Sequence, residues 1–95
     1  IIQLFGKNAN KNISLIRNIL QKERTVFPDV RKIYFKEKIG WLISFDSQKC
    51  VYLPIKKLDN LVNIFQNIKD SELYENYSFF DLRIIGRIYL SKNKC

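Results

Sequence analysis

Histidine and methionine are absent from this chain, and its 95 residues include only three glycines, two prolines and two cysteines. Without histidine the usual general base is missing, and so is the commonest nitrogen ligand for zinc. The cysteines, Cys50 and Cys95, are too far apart to match a metal-ligand spacing. A single disulfide between them is open in an oxidising compartment, and the spacing does not decide it. The isolated glycines Gly6, Gly40 and Gly86 form no phosphate-cradling loop, and no G-x-S-x-G nucleophile turn occurs. Nine carboxylates are present, but no pair of them is marked out as a catalytic dyad. The expectation is therefore a protein that is not an enzyme, with no metal and no cofactor. No apolar run approaches the roughly 20 residues of a membrane span, and no signal peptide is visible. The missing methionine and the apolar opening at Ile1 suggest a domain cut from a longer protein, with any anchor upstream.

The rest of the composition is that of a folded domain. Apolar residues make up 46% and aromatics 14%, enough for one modest core over residues 1–95. The net charge is +8 with an isoelectric point near 9.7. In a composition rich in Lys, Asn and Ile, that charge reads first as solvated surface lysine. An acidic protein partner, an anionic membrane surface and nucleic acid are the functional alternatives. The cations spread along the whole chain without a block of five or six, which excludes a polybasic tail.

Periodicity sets out the elements. Residues 1–5 form a short apolar strand closed by Gly6-Lys7-Asn8. Asn10 or Asn12 is placed to cap a helix over residues 13–22, where Ile13, Leu15, Ile16, Ile19 and Leu20 keep helical spacing. Pro28-Asp29 marks a loop, and residues 30–36 form a strand on which Ile33 and Phe35 alternate. After a turn at Lys38-Ile39-Gly40, the residues Ile39, Trp41, Ile43 and Phe45 share one strand face. Asp46-Ser47-Gln48 turns the chain, and Val51, Leu53 and Ile55 alternate on the return strand. Pro54 falls near that strand's end. Leu58, Leu61, Val62, Phe65 and Ile68 define a second amphipathic helix over residues 57–69. Beyond a connector, residues 79–84 and 87–90 read as two last strands around Gly86. The order β-α-β-β-β-α-β-β implies an α+β fold, a mainly antiparallel sheet with two helices packed on one face. Leu20, Trp41, Leu61, Phe65 and Leu82 are expected in the core.

Several of these segments resemble the C-terminal β domain of the FtsQ/DivIB family of bacterial cell-division proteins. Leu4-Phe5-Gly6 is similar to the family's entry strand, and Lys38-Ile39-Gly40-Trp41-Leu42 to its hairpin strand. Val51-Tyr52-Leu53-Pro54 resembles its return strand, which runs into a helix. Asp81-Leu82-Arg83 beside a final strand is the family's most characteristic tripeptide; an aromatic residue frequently follows it there, and Ile84 stands in that place here. The resemblance covers nearly the whole chain. It implies a non-catalytic scaffold domain of the divisome on the periplasmic side of the bacterial inner membrane. A POTRA domain and a single membrane helix would precede it. It further implies partners of the FtsB and FtsL type, docking by strand addition.

The residues themselves point to the same place. A last strand often lies at a sheet edge, where unpaired backbone groups invite a partner strand. The partner-binding candidates are Arg83, Ile84, Ile85, Gly86, Arg87, Ile88, Tyr89 and Leu90, with Lys38 as a second cationic contact. Asp81 and Arg83, two apart, share one strand face. There Asp81 serves structure, and Arg83 is suited to a bidentate bond with a partner carboxylate. The competing class is an RNA-binding domain of β-α-β-β-α-β order. RNA stacking needs aromatics on an open sheet face. Trp41 and Phe45 share their face with Ile39 and Ile43, which reads as a buried one.

Overall fold

The structure, a computed structural model, describes residues 3–14, 16, 29–45, 48–55, 58–84 and 86–93. Its elements are β1 (Gln3–Phe5), α1 (Ala9–Asn12), β2 (Val30–Lys36), β3 (Gly40–Phe45) and β4 (Cys50–Leu53). Then come α2 (Asp59–Lys69), α3 (Glu72–Asn76), β5 (Phe79–Asp81) and β6 (Tyr89–Ser91). The six strands make one sheet whose spatial order follows the chain, β1-β2-β3-β4-β5-β6. The α+β class holds. The sheet is mainly antiparallel, with three antiparallel pairings, and it is mixed rather than purely so, because β1–β2 and β4–β5 pair in parallel. A parallel pair needs a long crossover, and each of these crossovers carries helical residues.

Alternation along the strands builds the core. Ile33, Ile43, Val51, Phe80 and Leu90 form one row across five strands, and Phe35, Trp41 and Leu53 form a second. All are buried except Leu90, which is partly so. Ala9 and Ile16 from the first crossover, and Leu58, Phe65 and Ile68 from the second, pack on this same face, so the helices share one side. Phe65 stands between Phe45 and Phe80, with ring centroids 5.8 Å from each. Burying a large apolar side chain contributes about 1.5–3 kcal/mol, so these rows supply the main cohesion of the domain.

Several local expectations change. Helix α1 starts at Ala9, behind Asn8 in a left-handed conformation (φ 63°). Asn10 and Asn12 lie inside this short helix, and the expected helix over residues 13–22 falls largely outside the described residues. The Asn12 side chain donates to the Asn8 carbonyl at 2.9 Å. Leu61 is only half-buried, at the margin of the core. Ile39 is 45% exposed in the Glu37–Ile39 turn, because the strand face begins one residue later at Gly40. A Cβ on Gly40 would sit 2.1 Å from the Leu53 carbonyl oxygen, so the residue lets β3 and β4 approach. The connector after α2 contains a short helix, α3, whose first turn is capped by the Ser71 hydroxyl accepting from the Leu73 N–H at 3.2 Å.

Cys50 is fully buried and disulfide-bonded; the sequence contains one other cysteine, Cys95. Cys95 lies outside the described residues. So do Ile1, Ile2, Leu15, residues 17–28 with the expected core residue Leu20, Asp46, Ser47, Lys57 and the candidate Ile85.

Candidate partner-docking site

The site grows from the end of β5. Asp81 is the last residue of that strand and pairs with Tyr52 on one side and Tyr89 on the other. Leu82 is buried, and its N–H donates to the Tyr52 carbonyl at 2.9 Å. The chain then turns back on itself. The Arg83 backbone N–H donates to Asp81 Oδ1 at 3.1 Å, its Nε to the same oxygen at 2.9 Å, and its Nη2 to Oδ2 at 2.7 Å. This fork lowers the Asp81 pKa, chiefly through the side-chain hydrogen bond to Arg83. Partial burial opposes the shift without reversing it. The guanidinium also lies over the Tyr52 ring, 4.3 Å from its centroid, and Lys36 Nζ approaches the same ring at 5.5 Å. Both cations thus pack against one aromatic ring, and the Asp81 carboxylate holds the Arg83 guanidinium.

Beyond Arg83 the expected tight turn around Gly86 is present, with the Arg87 N–H donating to the Ile84 carbonyl at 3.1 Å and Gly86 at φ 80°. The strands that flank it are shorter than expected, three residues each. Ile84 and Ile88 are exposed at 52% and 44%. Strand β6 starts only at Tyr89, so of the described residues from Arg83 to Leu90 just Tyr89 and Leu90 are strand residues. The Asp81–Arg83 fork accounts for this, because it bends the backbone out of line directly after β5.

The registers bring the candidates together at one end of the sheet. Strands β2, β4 and β5 run in the same direction, so the Glu37–Ile39 turn and the loop after Asp81 leave from the same end. Lys38 sits in that turn with φ 66°, exposed. It shares the end with Arg83 and Arg87, but Lys36 is the cation that stands with Arg83 over Tyr52. Sequence reasoning missed Lys36 and Tyr52. Their signal was the alternation itself: Tyr34, Leu42, Tyr52 and Asp81 form one cross-strand row on the face away from the helices.

Both sheet edges are single strands, β1 and β6. Trp41 and Phe45 are buried against Phe35 and Phe65, leaving neither ring open to a base. No protein-family model matches the chain, and no curated protein matches it.

Proposed function

We propose that this chain is a non-catalytic docking domain of the FtsQ/DivIB type, which takes up a strand from a division partner of the FtsB or FtsL type along the outer edge of β6. One observation carries the reading: β6 closes the strand order, so one of its backbone edges has no strand beside it among the described residues. Exposed Ile88 and Tyr89 flank that edge. Main-chain pairing would supply affinity there, and side-chain contacts would supply register. Arg83, already held by Asp81, keeps its Nη1 for a partner carboxylate, with Lys36 rather than Lys38 as the nearer second cation. The disulfide at Cys50 supports the periplasmic setting, since such bonds persist in oxidising compartments.

The test is amide hydrogen exchange on the domain, free and saturated with the partner ectodomain. Binding should protect the amides of Ile88, Tyr89, Leu90 and Ser91, while those of Gln3, Leu4 and Phe5 exchange as before. Protection confined to β1 or to α2 would overturn docking at β6.

A further inference from the structure

The four most exposed large hydrophobic side chains among the described residues are Ile84, Tyr89, Ile39 and Ile88, at 52%, 46%, 45% and 44%. All four lie at the end of the sheet that carries the Glu37–Ile39 turn and the loop between β5 and β6. Cations surround them: Lys36 and Lys38 at the turn, Arg87 in the loop, and Lys7 just past β1. The carboxylates at this end are engaged, Asp81 by Arg83 and Glu37 by the Asn8 side-chain amide. Other carboxylates lie at the opposite end. Asp29 precedes β2 there, while Asp70, Glu72 and Glu75 lie where the second crossover comes back to the start of β5. The exposed aliphatic side chains therefore gather at a cationic end, whereas the opposite end mixes carboxylates with Lys49, Lys69 and Lys92.

We propose that the aliphatic, cationic end rests on an anionic lipid surface, with Ile39 and Ile84 in the headgroup layer and Lys38 and Arg87 against the phosphates. The shape favours a bilayer over a peptide. The two tips come from different turns about three strand spacings apart, roughly 14 Å, and project beyond the last rungs of the sheet. A peptide needs an edge or a groove, whereas separated convex tips suit a deformable surface whose anionic charge matches the ring of cations. The proposal goes beyond strand addition and is compatible with it, because the edge of β6 faces sideways when this end faces the membrane.

The experiment is co-sedimentation of the purified chain with vesicles of phosphatidylglycerol and phosphatidylcholine, against vesicles of phosphatidylcholine alone, at low and high salt. The wild type should pellet with the anionic vesicles and be released by salt. Ile39→Asp and Ile84→Asp should each weaken binding about tenfold or more, and Lys38→Gly should weaken it a few-fold. Ile64→Asp, on the exposed side of α2, should bind like the wild type; circular dichroism checks that every variant is folded. No binding at low salt overturns the proposal. Equal losses at Ile64 and Ile39 overturn it as well, as does binding that ignores the isoleucine changes and so reports bulk charge alone. Self-association in the absence of vesicles, abolished by Ile39→Asp, would assign this end to a second copy of the chain instead. Partner binding measured in parallel separates the two readings, because Ile39 is remote from β6 and Ile39→Asp should leave strand addition intact.

Discussion

Asp81 binds Arg83 through both carboxylate oxygens and also accepts the Arg83 backbone N–H. Because its folded pKa is lowered, the fork contributes stability that is complete above the ordinary carboxylate range and is lost as pH falls through the folded value. Chemical denaturation at pH 7 should therefore show Asp81→Asn less stable than wild type, and the gap should narrow steadily as the pH is lowered below the ordinary carboxylate range. A gap that stays constant with pH would assign the effect to packing. Trp41 gives a second test. Its indole N–H is buried without an acceptor among the described residues. Trp41→Phe removes that unpaired donor along with some volume, so it should cost far less than Trp41→Ala, for which about 3–5 kcal/mol is expected from a cavity of this size. Urea unfolding of the two variants measures the difference.

At the scale of elements, legibility tracked how local the cause was. Strand β2 appears at the bounds its alternation implied, because Ile33 and Phe35 are core residues and a turn closes it. The run from Ile84 to Leu90 misled, since an apolar, β-prone composition does not reveal that the Asp81–Arg83 fork bends the chain away first. Helix α3 is too short for periodicity to show; its one signal was Ser71 ahead of Glu72 and Glu75 in the first turn. The parallel pairings were not legible either, because they join segments far apart in sequence. Two substitutions test the helix–sheet contact. Phe65→Ala should cost about 3–5 kcal/mol, and Leu61→Ala clearly less, because Leu61 is only half-buried. Equal losses in urea titrations would contradict the packing described. Gly40→Ala should disrupt the β3–β4 junction, where the added methyl group meets the Leu53 carbonyl, and thermal melts of the variant should fall well below those of wild type.

For the whole molecule, the disulfide at Cys50 is a constraint on the unfolded chain. A disulfide that closes a loop of some tens of residues limits that ensemble by about 3–5 kcal/mol on chain-entropy grounds. Reduction or Cys50→Ser should lower the unfolding midpoint accordingly, and a midpoint unchanged by reducing agent would mean the bond contributes nothing.

The strand order has a kinetic side. Strands β2, β3 and β4 form a meander closed by short turns, whereas β1 and β5 join it only after long crossovers, and β6 joins through β5. Local pairings form at the lowest loop-closure cost, so the meander is the natural folding nucleus and the outer strands zip on late. Substitutions such as Ile43→Val in the meander should then slow refolding, and Leu90→Ala in β6 should mainly speed unfolding, in stopped-flow traces of the two variants. Strand β6, the proposed docking strand, is thus among the last to be laid down and the first to let go, and a partner bound there would act chiefly by slowing its departure.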